Sequence, residues 1–265
     1  MDIALEKHNF KEINRLNQRG GRMLSIIDLL KDGTLDFDLA GFLLYSMRQD
    51  KSFLTAANPS GTGKTTLMGS LLGLLKPGIQ IKTISNRVKV SKNEEREKNI
   101  RYLIHEIGDG PYFSYIWGQE VDKFLSLGNR AGVASCMHAD SLEEMKDILY
   151  NPPLSVREKN FYNLDLILFM TMEGRFTRRK RRVSRVYGKY NNSFIKLFEW
   201  DSESDSFSRH NLDKYLINQS EIMKKEINQL KSEIEKARNI IKKIAEKDIV
   251  SLEKVRKEVI AEYKD

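Results

Sequence analysis

The chain has 265 residues, a net charge of +8 and one cysteine, Cys136. This length allows one well-packed core with a smaller second unit, and a lone cysteine excludes an internal disulfide framework and favours a reducing compartment. No apolar run approaches the ~20 residues that span a bilayer. Residues 1–7 contain acids and lack an apolar core segment, so they are not a secretory signal. We therefore expect a cytoplasmic protein.

The N-terminal part of the chain is predicted to be helical. Residues 1–20 are polar and helix-prone, and residues 23–30 form a short apolar helix that stops near Gly33. Asp36 can cap the next helix, residues 37–47, whose apolar side chains recur at helical spacing.

The most informative segment is a glycine-rich loop, residues 58–66. It follows the apolar run 53–57 and leads into an apolar helix, and strand, glycine-rich turn, Gly-Lys-Thr and helix together are typical of a phosphate-binding loop. Gly61 and Gly63 allow the backbone to direct N–H groups at phosphate oxygens, and the positive end of the helix dipole adds to that field. The sequence therefore predicts ATP binding by Asn58, Pro59, Ser60, Gly61, Thr62, Gly63, Lys64, Thr65 and Thr66.

Two side chains of this loop have predicted chemical roles. Lys64 is expected to reach the β- and γ-phosphates, and the Thr65 hydroxyl to hold Mg²⁺. Asn58 stands where the pattern G-x-x-x-x-G-K-[ST] begins with Gly, and Asn tolerates a positive φ better than other non-glycine residues. The alternative is a glycine-rich surface turn that precedes a helix.

Strands and helices alternate after the loop. Residues 79–84 and 102–107 are predicted strands, residues 91–99 a charged connection, residues 119–127 a helix and residues 132–137 another strand. This order predicts an α/β fold with a parallel, doubly wound sheet, whose ligands bind beyond the carboxyl ends of the strands.

Two side chains at predicted strand ends are candidates for chemistry. Glu106 is the carboxylate that can orient water or bind Mg²⁺, and His138 can sense the γ-phosphate. The alternatives are a strand-end acid with a structural hydrogen bond and a buried core histidine. His105 faces the other side of its strand and is interpreted as structural. The predicted catalytic residues are thus Lys64, Glu106 and His138, and the predicted metal ligands are Thr65 and Glu106.

The next segment contains a cluster of arginines. A helix over residues 141–150 begins with the capping box Ser141-x-x-Glu144, and strands are predicted over residues 164–170 and 194–200. Between them, Arg175, Arg178, Arg179, Lys180, Arg181, Arg182 and Arg185 occur without an acid. Such a run can bind nucleic acid or an anionic membrane, form a solvated hairpin, or line a subunit interface beside bound phosphate.

The C-terminal tail has the pattern of a coiled coil. Apolar residues alternate at steps of four and three, the a/d seam of that structure: Met223, Ile227, Leu230, Ile234, Ala237, Ile241 and Ile244. The register fails at Asp248 and resumes at Leu252, Val255 and Val259. The seam can pack on its own domain or pair with another chain through residues 223–259. The predicted units are helices at 1–34, a core at 35–212 and coiled-coil helices at 213–265.

Several of these motifs resemble the motor ATPases of secretion systems, pili and archaella, the type II/type IV secretion superfamily. The resemblance runs from about Gly20 to Asp205. It is carried by the loop itself, the helix at 35–44, Lys76-Pro77-Gly78, Thr83-Ile84, a Walker B-like strand at 103–107, a histidine box at 134–141, and closing strands at 164–169 with Arg181-Arg182-Val183. Arg19 to Leu24 is similar to archaeal members.

The resemblance implies a P-loop NTPase core of RecA type that hydrolyses ATP with Mg²⁺, assembles into a hexameric ring and acts on a membrane-anchored platform protein. It also implies that Arg175, Arg178 or Arg179, or alternatively Arg19 or Arg22, supplies charge to a neighbouring subunit's site.

Four departures from the family pattern bear on activity. Asn58 replaces Gly, Ser85-Asn86 stands where the family has acids, and His105 replaces Gly before Glu106, with Glu120 as a rival carboxylate. The family's N-terminal domain, which clamps nucleotide, is almost absent from the chain. The sequence therefore leaves three hypotheses: an ATP-hydrolysing motor, a nucleotide-dependent adaptor with weak hydrolysis, and a nucleic-acid translocase that uses the basic hairpin.

Overall fold

A computed structural model of the chain describes residues 2–17, 20–85, 99–174 and 179–262. Its helices are α1 Ile3–Asn14, α2 Ile26–Lys31, α3 Phe37–Arg48, α4 Lys64–Leu72, α5 Gln119–Ser126, α6 Leu142–Tyr150, α7 Glu158–Phe161, α8 Leu212–Met223, α9 Ile227–Glu246 and α10 Leu252–Ala261, with a 3₁₀ turn at Leu127–Asn129. Its strands are β1 Phe53–Ala56, β2 Gln80–Thr83, β3 Ile100–Leu103, β4 Glu106–Ile107, β5 Tyr115–Ile116, β6 Gly132–Met137, β7 Leu166–Glu173, β8 Lys180–Tyr190, β9 Ser193–Asp201 and β10 Ser206–Arg209.

The described strands form one mixed sheet with the order β10-β9-β8-β7-β1-β6-β3-β2, and β4 and β5 extend beside β6. The pairs β7–β1, β1–β6, β6–β3 and β3–β2 are parallel, whereas β7 through β10 pair antiparallel. The predicted α/β class is therefore confirmed. The C-terminal strands are part of the same sheet, so β1 lies at its centre, between two parallel neighbours.

The first N-terminal helix, α1, packs against β2, an edge strand of this sheet. Asp36 caps α3 as predicted, because its carboxylate accepts the N–H of Leu39 at 2.8 Å. In α1, the Asn9 side-chain amide donates to the Ile79 carbonyl at 2.7 Å and accepts from Ile81 N–H at 2.9 Å. These bonds cover backbone groups of the edge strand β2 and place the end of α1 near the carboxyl ends of the strands.

The strand predicted over residues 102–107 is interrupted. The structure has β3 to Leu103 and a separate β4 from Glu106. His105 N–H leaves the ladder and donates to the Ser114 carbonyl at 2.8 Å. The interruption turns the chain just before Glu106. The charged connection predicted over residues 91–99 lies outside the described residues except for Asn99.

The tail helices pack on the chain's own core. Leu230, Ala237, Ile241 and Ile244 of the seam are buried in the same apolar cluster as α3. A buried ion pair adds α10 to this arrangement, because Arg256 bonds the Glu6 carboxylate at 2.9 and 3.0 Å and also donates to the Leu75 carbonyl. Of the two alternatives for the seam, this chain adopts self-packing. In the part of the chain that the structure describes, no helix is long and apolar enough to cross a membrane.

Candidate functional site

The glycine-rich loop joins the buried central strand to α4. Gly61 has φ 87° and Gly63 has φ 102°, both in the left-handed region that favours glycine. Gly63 is the N-cap of α4, so Lys64 begins the helix. The backbone therefore turns at the two glycines that the sequence indicated, and the N-terminus of a nine-residue helix follows at once.

A cleft of about 500 Å³ opens at this turn. Loop residues 60–66, Glu106 and His138 meet in its walls, although they are far apart in the sequence. The full set of lining residues is Leu16, Asn17, Leu24, Leu29, Asp32, Thr34, Ser60, Gly61, Thr62, Gly63, Lys64, Thr65, Thr66, His105, Glu106, Tyr115, His138, Met170, Arg179, Lys180 and Arg181. The volume is within the range of sites for small molecules and cofactors. Asn58 and Pro59 precede this wall and do not line it.

Lys64 is buried at the base of the cleft, with 6% of its surface exposed. Its ammonium donates to the carbonyl of Ala57 at 3.0 Å, and both ring nitrogens of His138 lie 3.3 Å from it. The Lys64 carbonyl accepts the buried Thr55 hydroxyl at 3.2 Å, which ties the first helical turn to the central strand.

Glu106 and His138 form one polar cluster with the loop. His138 Nε2 lies 3.2 Å from Glu106 Oε1, and His138 Nδ1 contacts the Asn58 carbonyl. The Tyr115 hydroxyl donates to the other Glu106 oxygen at 3.2 Å. Burial and the Glu106 charge raise the Tyr115 pKa to about 12, so this hydroxyl stays protonated and remains a donor. The predicted catalytic residues Lys64, Glu106 and His138 thus lie together.

The backbone φ of Asn58 is not positive, so the tolerance of Asn for a positive φ is not needed here. Instead its backbone N–H donates to Asp140 Oδ1 at 2.7 Å, and its side-chain amide lies 3.4 Å from Glu144 Oε1. The predicted capping box forms only in part. Ser141 Oγ accepts Glu144 N–H at 3.0 Å, but the Glu144 carboxylate bonds Asp140 N–H at 2.7 Å rather than that of Ser141. The acids after His138 therefore anchor the first residue of the loop.

The cations of the basic run have different partners. Lys180 and Arg182 both pair with Asp205, whereas Arg181 donates from Nε to the Gly61 carbonyl at 2.9 Å. The hydrogen bonds from Arg182 and then Lys180 lower the pKa of Asp205. Arg179 lines the cleft of its own chain.

Arg22, another arginine expected to act on a neighbouring site, is paired within its own chain. Arg22 donates two hydrogen bonds to the Asp28 carboxylate, and this hydrogen bonding raises the Arg22 pKa. Arg19, Arg175 and Arg178 lie outside the described residues.

Three further sequence expectations concern side chains near the cleft. Burial lowers the pKa of His105 to about 4, which agrees with a structural, neutral histidine. The rival carboxylate Glu120 lies on α5, pairs with Lys123 and does not line the cleft. Cys136 is buried beside the Thr55 hydroxyl, and burial raises its pKa to about 12. It is therefore a protonated, unreactive thiol.

The cleft also contains suitable groups for Mg²⁺. The Thr65 hydroxyl and the Glu106 carboxylate both line it, and Mg²⁺ prefers oxygen ligands, of which the protein supplies one or two beside nucleotide phosphates. Among the described residues, no group of three or more His, Cys, Asp or Glu forms a metal site without such help. The residues therefore fit a metal that arrives with a nucleotide.

Sequence reasoning missed several residues of the site. Tyr115 and N-terminal lining residues such as Leu16, Asn17 and Thr34 carry no motif that predicts a place in the site. Asp140 belongs to the histidine box, and Arg181 belongs to the basic run and to the closing strands, but neither position indicates a contact with the loop. Alternation along β8 was the available signal for Arg181, because it places Arg181 on the face opposite Lys180 and Arg182.

No protein-family model and no curated protein sequence matches the chain. Among solved structures, it is similar to the VirB11 ATPase of the Brucella suis type IV secretion system, crystallised with sulphate. The identity is 18%, over 63% of this chain and 55% of that one, with a TM-score of 0.43. It is also similar to the Legionella pneumophila ATPase DotB, at 13% identity over 83% of this chain and 63% of that one, with a TM-score of 0.38.

The chain thus spans 55% and 63% of the lengths of these two proteins. At such identities and TM-scores, neither similarity assigns an activity to it. Any functional assignment therefore rests on the residues of the cleft.

Proposed function

We propose that this chain binds ATP with Mg²⁺ and hydrolyses it, as a motor domain of the type II/type IV secretion, pilus and archaellum class. One observation carries the proposal. The Lys64 ammonium, at the first turn of a helix that follows a glycine-rich loop, enters the same cleft as Glu106 and His138. A buried cation at a helix N-terminus attracts a polyphosphate, and a carboxylate with an adjacent histidine can position water against it.

Each residue has a distinct role in this proposal. Backbone N–H groups of residues 60–66, which line the cleft, and the Lys64 ammonium bind the phosphates. Thr65 holds Mg²⁺, with Glu106 as a second oxygen donor. Mg²⁺ held there would supply positive charge that offsets the charge of the phosphates. Glu106 orients the attacking water, and His138 senses the γ-phosphate because it bridges Glu106 and the loop.

ATP turnover by purified protein tests this proposal. We expect Glu106→Gln to bind ATP but to lose turnover by ~10²-fold or more, because the amide cannot accept a proton. Lys64→Ala should lose both binding and turnover. Lys189→Gln, which removes one cation from β8 outside the cleft, is the matched control and should keep the wild-type rate. A wild-type rate no higher than that of either site variant would contradict hydrolysis at this cleft.

The assembly is a separate part of the proposal. We expect a homo-oligomeric ring, a hexamer by family resemblance, that works in the cytoplasm on a membrane-anchored platform protein. Because the tail seam packs on its own core, ring contacts have to come from other surfaces, and coiled-coil pairing in trans would require the tail to leave α3. Mass in solution with and without ATP tests assembly, and a monomer under both conditions would contradict a ring.

The second candidate function is a nucleotide-dependent adaptor. Ser85 stands at the family's acidic position, and the described carboxylates of the cleft are Asp32 and Glu106, the latter already bonded to Tyr115 and His138. If the protein binds ATP and Glu106→Gln leaves turnover unchanged, the adaptor function is favoured.

A nucleic-acid translocase has less support, because cations of the basic run contact Asp205, the Gly61 carbonyl and the Asp140 carbonyl within the chain. Binding of DNA or RNA that weakens steeply with salt would support the translocase hypothesis.

A further inference from the structure

The cations of β8 are divided between the two faces of the strand. Lys180 and Arg182 lie two residues apart and share the Asp205 carboxylate, each at 2.8 Å. Successive side chains of a strand point to opposite faces, so Arg181 is directed away from Asp205. Within the described chain, no carboxylate lies within ion-pair distance of Arg181, which distinguishes it from both neighbours.

Arg181 lies instead on the glycine-rich loop, 120 residues earlier in the sequence. Its Nε donates to the Gly61 carbonyl at 2.9 Å. Its Cδ lies 3.4 Å from the position that a Cβ on Gly63 would occupy. The side chain therefore packs along the turn between the two left-handed glycines and lines the cleft that Lys64 enters.

Among the described residues, the bond to Gly61 is the one hydrogen bond found for the Arg181 guanidinium, and it uses Nε, so the Nη atoms remain available. Arginine has five N–H donors in a rigid planar fork, and one of them contacts the loop carbonyl. This bond fixes the stem of the side chain at the cleft, whereas Arg179 lines the cleft without such a bond in the described structure. A permanent positive charge, with donors that bond no described residue, thus lines the same cleft as Lys64.

We infer that Arg181 is a phosphate-binding residue that acts in cis, on a nucleotide held by the loop of its own chain. Its Nη atoms donate to the terminal phosphate oxygens that Lys64 also binds, and a guanidinium suits this task because its fork matches two phosphate oxygens at once. The inference rests on the proposed function, since it assigns a residue to the same ATP site. It also makes the β7–β8 hairpin responsive to the nucleotide.

Binding of ATP and ADP, each with Mg²⁺, to the full chain tests this inference. The variants are Arg181→Gln, Arg181→Lys and the control Lys189→Gln, which removes the same charge from the same strand outside the cleft. We expect Arg181→Gln to weaken ATP binding by about 10- to 100-fold, as for the loss of charge-assisted hydrogen bonds, and ADP binding by a smaller factor. Arg181→Lys should recover part of the loss because it keeps the charge without the fork. Lys189→Gln should match the wild type.

The outcomes separate three cases. If the wild type binds ATP and Arg181→Gln binds it equally well, the inference is wrong and the proposed function stands. If ATP and ADP weaken by the same factor and Arg181→Lys is no better than Arg181→Gln, Arg181 only supports the shape of the loop, and the inference is again wrong. If the wild type binds neither nucleotide, the proposed function and the inference are both wrong.

Discussion

Replacing Gly41 with alanine tests whether the tail is packed on its own domain. Gly41 lies in α3 where α9 crosses it, and an alanine Cβ would lie 2.6 Å from Arg238 Cβ, 2.7 Å from its Cα and 2.9 Å from its N. Two of these atoms are backbone, so rotation of a side chain cannot relieve the contact. Either α9 moves away from α3 or both helices are strained.

Whether Gly41→Ala lowers or raises the free energy of unfolding shows whether α9 packs on α3. Overpacking costs about 1–3 kcal/mol, and contacts with backbone favour the upper end of that range. Alanine in place of a mid-helix glycine stabilises a helix by about 1 kcal/mol. We therefore expect Gly41→Ala to lower the free energy of unfolding by about 2 kcal/mol. For a chain of this size, the melting temperature should fall by roughly 4–8 °C.

Urea unfolding followed by circular dichroism measures this change. Two further variants act as controls on the α9 side. Ile241→Ala removes a fully buried side chain and should cost about 2–5 kcal/mol, whereas Lys236→Ala at an exposed position should stay within about 0.5 kcal/mol. If Gly41→Ala raises the unfolding free energy and Ile241→Ala is nearly neutral, α9 is not packed on α3 and the tail is available to another chain.

Four other predictions concern residues in or near the site. Because the pKa of His105 is about 4 when folded and its ordinary value is near 6.5, the unfolded chain binds more protons between these pH values. The unfolding free energy should therefore rise by about 3 kcal/mol as pH increases from 4 to 6.5, and His105→Gln should have a flatter pH profile. Iodoacetamide at pH 8 should modify Cys136 only after unfolding; rapid labelling of the native chain would refute its burial. Asn58→Gly should change ATP binding by less than about 0.5 kcal/mol, because its 3.4 Å side-chain contact is weak. Asp140→Ala, which removes the acceptor of the Asn58 N–H, should weaken binding by about 1.5–3 kcal/mol by titration calorimetry.

Local signals in the sequence predict much of the centre of the fold. Residues 132–137 are apolar or small throughout, and the structure has β6 at Gly132–Met137, buried along its whole length. Asp36 and the spacing after it predict α3 because a cap and a periodic apolar face both act within a few residues. The turn at Gly61 and Gly63 is predictable for the same reason.

Contacts between distant segments explain what the sequence does not predict. The strand expected over residues 102–107 is broken because Ser114 accepts the N–H of His105, and no pattern within the strand indicates that bond. Arg181 belongs to the site because it meets the Gly61 carbonyl across 120 residues. A basic run alone does not reveal which of its members carries a carboxylate partner.

The tail shows why a pattern can leave two structures open. An a/d seam is equally suited to a partner helix and to the chain's own core, because both bury the same stripe. The choice depends on α3, where Gly41 lacks a Cβ and allows α9 to approach closely. That feature lies about 200 residues before the seam.

Calorimetric titration of the full chain with ATP and Mg²⁺ is the most direct test of the central claim, that the loop at residues 58–66 and Lys64 form a nucleotide site. We predict saturable binding by the wild type, with an affinity at least about 10-fold weaker in Lys64→Ala, because a charge-assisted contact to phosphate is lost. Absence of binding by the wild type, or equal binding by Lys64→Ala, would contradict it.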